Sequence, residues 1–169
     1  MNHGVPPDIA AALRRALQDA QPERVIHVQS ERDRCALGAV LETLEPQPEV
    51  LSPHRILAAR PASPPTGTVC VTCGRMGLAD QRRAEHVLAR LRDLYCQRVL
   101  LVTPLDAREP HGWPEAQLRA LGFLRLLRTG QAGTDWGLFG FDLYDYKTTP
   151  DWLNPRYWAN PHLWNRYRW

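Results

Sequence analysis

Two short, mostly apolar segments constrain the fold of this chain more than any other feature of its sequence. Residues 68–73 and 98–103 have the composition of strands that are buried on both faces, as in the centre of a parallel sheet. Between them, Asp80 is placed to cap a helix whose apolar side is formed by Val87, Leu88, Leu91 and Leu94. A strand, a helix and a strand in this order predict two parallel strands joined by a right-handed crossover.

The flanking segments continue this alternation of helices and strands. Proline and glycine breakers and apolar spacing predict helices between Pro6 and Pro22, over residues 35–44, and between Pro114 and Gly122. Strands are predicted over residues 24–29, 54–59, 123–128 and 136–144, the last two joined by a hairpin-like connection. The predicted fold class is α/β, a Rossmann-like three-layer sandwich with a mostly parallel sheet and a C-terminal antiparallel hairpin. We expect one domain over residues 1–150 and an aromatic tail, residues 151–169, packed on it.

The composition excludes several classes of protein. With 169 residues, 44% of them apolar and 23% charged, the chain fits one globular domain and not a disordered protein. No apolar run approaches the roughly 20 residues of a membrane-spanning helix, and the start of the chain lacks the features of a signal peptide. A net charge of +3, from 21 basic and 18 acidic side chains, does not by itself imply a nucleic-acid partner, and we expect none.

The cysteines and histidines form no recognisable site. Four cysteines are too few for a disulfide scaffold, so we expect reduced thiols in a cytoplasmic protein. Cys70 and Cys73 form a CxxC pattern, but residues three apart on a strand face opposite sides, which predicts core packing rather than a bridge. Cys35 and Cys96 are interpreted as small apolar residues. No HxH, HExxH, GxSxG or Walker A pattern occurs, so neither a metal site nor a catalytic residue is predicted.

The strand–helix–strand unit has a specific sequence. Residues 69–74, 85–88 and 99–104 read Val-Cys-Val-Thr-Cys-Gly, Glu-His-Val-Leu and Val-Leu-Leu-Val-Thr-Pro, and residues 118–123 precede the late hairpin. As a pattern of elements over roughly residues 20–145, this resembles the class I S-adenosylmethionine-dependent methyltransferase fold. The resemblance implies a cofactor site at the carboxyl ends of the strands, where ligands of open α/β sheets bind. The candidate cleft residues are Gln29, Ser30, Glu31, Gly74, Arg75 and Asp106.

The turn after the first predicted strand departs from this resemblance. Methyltransferases of that fold have a glycine-rich turn there, because only glycine lets the backbone approach the cofactor closely, whereas residues 29–34 read Gln-Ser-Glu-Arg-Asp-Arg. Glu49 is a candidate for the acid that the family places at the ribose hydroxyls. The preferred hypothesis is a degenerate methyltransferase-like protein without a cofactor, acting as a binding or assembly module. The alternative is a divergent methyltransferase that binds S-adenosylmethionine with the turn at Gln29, Ser30 and Glu31.

The aromatic residues are concentrated in the C-terminal segment. Five of the six tryptophans and four of the five tyrosines lie in the last 34 residues, and residues 152–169 repeat with a period of six. Residues 142–147, 150–154 and 158–164 resemble the C-terminus of a small family of proteobacterial proteins with no assigned function, which implies a bacterial protein. Three roles of this tail are considered: it covers the sheet, it forms a protein interface or homodimer, or it stacks on nucleic-acid bases. The negative charges of Asp142, Asp145 and Asp151 oppose the third role, because they repel phosphates. The residues concerned are Tyr144, Tyr146, Trp152, Trp158, Trp164 and Trp169.

Overall fold

The structure is a computed structural model that describes residues 4–30, 37–61, 66–106, 112–131 and 134–144. The helices in these ranges are α1 (Pro7–Ala20), α2 (Leu37–Leu41), α3 (Pro53–Ala58), α4 (Gln81–Arg90) and α5 (Glu115–Ala120). A π-helical turn, Leu91–Tyr95, continues α4. The strands are β1 (Arg24–Val28), β2 (Glu49–Leu51), β3 (Thr68–Cys73), β4 (Arg98–Pro104), β5 (Leu124–Gln131) and β6 (Thr134–Asp142). In the described ranges, no helix combines the length and the apolar composition needed to cross a membrane.

The strands form one mixed sheet in the order β2-β1-β3-β4-β6-β5. The first four are parallel, with Val28 opposite Thr72 and Cys73 opposite Val102. β6 runs antiparallel to β4, and β5 pairs antiparallel with β6 as the outer strand of a hairpin, interrupted by a bulge between Arg125 and Leu127. The predicted fold class is confirmed: a mostly parallel α/β sheet with an antiparallel C-terminal hairpin.

Helices cover both faces of the sheet, which gives three layers. On one face, α1 and α2 pack on the sheet through Ile9, Leu13, Leu17, Leu37 and Leu41. The strands closest to α1 are β5 and β6. The first three recur every four residues, so they form one stripe along α1 and all are buried. On the other face, α3, α4 and α5 contribute Ile56, Val87, Leu88 and Leu118 to a second cluster. All six residues of β3 are buried, as its mostly apolar sequence predicts.

Residues 54–59 do not form the predicted strand, and this prediction is wrong. They belong to α3, which begins at Pro53 and is capped by Ser52, whose hydroxyl accepts a hydrogen bond from the Arg55 amide. Proline suits the first position of a helix because its missing N–H would have no partner there, and serine is a favoured cap. The strand beside β1 lies just before this helix, at β2.

The expectation of reduced thiols is also wrong. Cys70 on β3 and Cys96, just before β4, form a disulfide with their Cα atoms 6.0 Å apart, and none of the described cysteines is a free thiol. The crossover between β3 and β4 brings the two residues together, because the π-helical turn ends at Tyr95 and returns the chain to the start of the next strand. Cys70 and Cys73 are not bonded to each other, as predicted, and both are buried.

The boundary at residue 150 and the whole predicted tail, residues 151–169, lie outside the described residues. Among the C-terminal aromatic residues named above, the structure describes Tyr144, which is exposed.

Candidate functional site

The carboxyl ends of three neighbouring parallel strands bring the predicted cleft residues to one edge of the sheet. Gln29 and Ser30 follow β1, Gly74 and Arg75 follow β3, and Asp106 follows β4. Val28 is paired with Thr72, so β1 and β3 end at nearly the same level of the sheet. Glu31 lies outside the described residues.

A tight turn with left-handed backbone follows β3. Gly74, Met76 and Gly77 have φ values of +49°, +54° and +71°, and the Gly74 amide still donates to the carbonyl of Val102, 2.7 Å away. The Met76 amide closes the turn on the carbonyl of Cys73 at 3.0 Å. Glycine adopts this conformation freely, whereas a non-glycine residue held there costs about 1–2 kcal/mol. Met76 is fully buried, so packing of its side chain offsets this strain.

Trp113, which was not among the predicted site residues, fills the space beside this turn. Its side chain is fully buried, and its indole N–H donates to the carbonyl oxygen of Gly74 at 2.8 Å. The Arg75 Nε donates to the carbonyl of Gly112 at 3.1 Å, so two contacts tie the end of β3 to the segment before α5. One feature of the sequence distinguishes this residue: Trp113 is the single tryptophan before residue 136.

The segment that carries Trp113 is closed tightly on the end of β4. The Trp113 amide donates to the carbonyl of Pro104 at 3.0 Å. A Cβ atom at Gly112 would overlap the carbonyl oxygen of Asp106, so only glycine fits at this close approach of two backbone segments. This closure fixes the indole of Trp113 against β3.

The end of β1 carries a buried hydroxyl without a partner. Ser30 Oγ is the one buried side-chain oxygen or nitrogen among the described residues that makes no hydrogen bond. The neighbouring backbone is satisfied, because the Gln29 amide donates to the carbonyl of Leu51 at 3.1 Å, and the Thr72 hydroxyl donates to the carbonyl of Val28 at 3.2 Å. Ser30 is therefore the described group at this edge that still has hydrogen-bonding capacity in a buried position.

Glu49 does not lie at this edge, and its assignment as a ribose-binding acid is wrong. It is the first residue of β2, and its carboxylate forms an ion pair with Arg24, the first residue of β1, at the opposite edge of the sheet. The carboxyl end of β2 carries Leu51, which is buried, and Ser52, whose hydroxyl caps α3. The described residues that end β2 thus offer no carboxylate to the hydroxyls of an adenosyl ribose, and they do not fit that cofactor.

One titratable side chain is buried within β1. His27 lies between Val50 and Val71 of the adjacent strands, on the face covered by α1 and α2. Burial removes water from the imidazolium and lowers the pKa of His27 to about 4, so the ring is neutral at pH 7. In the described ranges, His, Cys, Asp and Glu side chains form no group able to hold a metal ion.

Two cavities lined by described residues lie away from this edge. The larger, of about 730 Å³, lies between α1 and the β4–β6–β5 part of the sheet, near Arg98 and Asp142. The second, of about 500 Å³, lies beside the end of α1 and is lined by Leu17, Val25 and Leu44.

Comparisons with known proteins support the fold and leave the activity open. A model of a family of unknown function, DUF6231, matches residues 7–169. No protein with a curated description matches the sequence. The N-methyltransferase NodS from Bradyrhizobium japonicum WM9, solved in complex with S-adenosyl-L-homocysteine, is similar in structure with 16% identity and a TM-score of 0.53, over 79% of this chain and 85% of that one. An rRNA methylase from Escherichia coli matches with 15% identity and a TM-score of 0.43, over 80% of this chain and 74% of that one.

Proposed function

The chain belongs to DUF6231, and we propose that it is a non-catalytic binding or assembly module built on a methyltransferase-like fold. The observation that carries the proposal is the position of Trp113. Its buried indole is hydrogen-bonded to the Gly74 carbonyl at the end of β3, one of the strands whose carboxyl ends would face a ligand.

Two further features of this edge support the absence of an adenosyl cofactor. The sequence after β1 contains no glycine from Gln29 through residue 34, so it lacks the residue type that lets a backbone approach a cofactor closely. At the end of β2, the Ser52 hydroxyl is engaged by the Arg55 amide and no acid follows the strand. We infer that the cofactor positions are used for packing and capping instead.

A divergent S-adenosylmethionine-dependent methyltransferase is the second candidate, and Ser30 favours it. A buried hydroxyl without a partner costs about 1–3 kcal/mol, and a bound ligand at the end of β1 would satisfy Ser30 Oγ. The left-handed Met76 is a second strained group at the same edge, and strained backbone is concentrated at functional sites.

Calorimetric titration of the full chain with S-adenosylmethionine and S-adenosylhomocysteine separates the two candidates. If the chain is a non-catalytic module, neither compound binds with a Kd below about 1 mM, which corresponds to a binding free energy of about −4 kcal/mol. A micromolar Kd that weakens about tenfold or more in Ser30→Ala would refute it and support the methyltransferase. Ser52→Ala is the matched control, because it removes a hydroxyl that caps α3 at a neighbouring strand end.

We also propose a bacterial cytoplasmic location and binding to another protein. The Cys70–Cys96 disulfide opposes a reducing cytoplasm, because disulfides persist mainly in oxidising compartments. Alkylation of free thiols before cell lysis, followed by mass spectrometry, measures the state of this pair in the cell. A fully alkylated pair would support the cytoplasmic location.

A further inference from the structure

An apolar groove lies between the second half of α1 and the antiparallel part of the sheet. Its volume is about 730 Å³, which falls in the range of sites that enclose large apolar groups. Its walls include Ala16, Leu100, Phe123, Leu124, Leu126 and Phe141. We call this surface the α1–β5 groove.

Two leucines of the outer strand are exposed in this groove. Leu124 is 69% and Leu126 53% exposed, which is unusual for apolar side chains that are next to each other on one wall. Gly140 on β6 forms part of the floor, and Leu126 packs over it, with its Cδ1 atom 3.0 Å from where a Cβ of residue 140 would lie. The groove therefore presents apolar surface that a further segment of protein can cover.

The chain leaves the described structure at the rim of this groove. Asp142, the last residue of β6, lines the groove and binds Arg98 with a distance of 2.8 Å to its Nε atom. The amide of Leu143 donates to the carbonyl of Gln97, and Tyr144 is 66% exposed. The residues that follow, 145–169, contain four tryptophans: Trp152, Trp158, Trp164 and Trp169.

We propose that residues 145–169 dock into the α1–β5 groove of the same chain and cover Leu124 and Leu126. The eight Cα–Cα steps from Tyr144 to Trp152 span up to about 26 Å when extended, which is enough to return the chain from the rim to the groove. Each tryptophan buries roughly 150–250 Å², so one or two of them cover the exposed leucines. Asp19, exposed on the α1 side of the groove, is available to the arginines of the tail, of which Arg156 comes first.

Limited proteolysis of the full chain tests this docking. Trypsin cuts after Lys147, Arg156, Arg166 and Arg168 in the tail, and a docked segment is cut only when it opens. A charge in the groove, Leu126→Asp, should accelerate cleavage at these positions by about tenfold or more, because it favours the open state. Val50→Asp is the matched control, since Val50 is 55% exposed on β2 at the other edge of the sheet.

Light scattering and thermal unfolding complete the experiment. The proposal is supported if Leu126→Asp accelerates tail cleavage, Val50→Asp does not, and wild type and variant are both monomeric. It is overturned if the tail of the wild type is cut as fast as that of Leu126→Asp, or if a wild-type dimer becomes a monomer in the variant, because a second copy then occupies the groove. If Leu126→Asp melts at a lower temperature than the wild type, the milder variant Leu124→Ser replaces it. Its tail cleavage and oligomeric state are then judged by the same criteria.

Discussion

The hydrogen bond from Trp113 to Gly74 gives a prediction whose size follows from the structure. Trp113→Phe keeps most of the ring and removes the indole N–H, so the Gly74 carbonyl, which is buried, loses its donor. Leaving a buried acceptor unpaired costs about 1–3 kcal/mol in the free energy of unfolding. Trp113→Ala also creates a cavity at a fully buried position, which raises the cost to about 3–5 kcal/mol.

Urea denaturation followed by circular dichroism measures both variants. The same exchange at Trp136, which is buried on β6, is the control for the loss of ring volume. If Trp113→Phe is as stable as the wild type, or is destabilised no more than Trp136→Phe, the hydrogen bond does not hold the end of β3 as described. That result would also remove the main support for a packed, cofactor-free edge.

Two further predictions concern pH and close packing. Unfolded histidine binds a proton below its usual pKa of 6.5, whereas folded His27 binds one only below about 4, so acid favours the unfolded chain. Unfolding experiments should show His27→Leu losing about 2 kcal/mol less stability than wild type between pH 7 and 5. Parallel curves of stability against pH for His27→Leu and wild type would contradict this. Gly112→Ala should cost about 1–3 kcal/mol, because its Cβ meets backbone rather than a movable side chain. Gly38→Ala in α2, where a Cβ has open space, should stabilise by about 0.5–1 kcal/mol; equal effects of the two changes on the melting temperature would refute the argument.

Local sequence patterns predicted the helices and strands that depend on residues close to each other in the sequence. β3 and β4 were predicted because six consecutive buried residues leave an apolar signature in the sequence itself. The start of α4 was predicted for a similar reason, since Asp80 accepts a hydrogen bond from the Arg82 amide two residues away, at 2.9 Å. The signal for α3 was equally local, a serine followed by a proline, but the apolar run after it was interpreted as a strand.

The features that the sequence did not predict depend on contacts between distant positions. Trp113 meets Gly74 across 39 residues, and Cys70 meets Cys96 across 26. No spacing rule connects such positions until the crossover places them together. Glu49 shows the same difficulty, because a shift of two residues along β2 decides whether a side chain lies at the amino or the carboxyl end of the sheet. The described cleft residues lie at one edge of the sheet because they follow β1, β3 and β4, which are parallel neighbours. The alternation of strands and helices in the sequence predicted this parallel arrangement.

The bulge in β5 has a consequence for behaviour at high concentration. An outermost strand of eight residues exposes a row of backbone donors and acceptors that a strand from another molecule could use. Between Arg125 and Leu127 the extra residue breaks the regular spacing of that row and increases its twist. Arg125 and Arg128 place charge on the same strand, held by Glu115 and Asp135. Growth of fibres by edge-to-edge addition is therefore hindered along this side of the molecule.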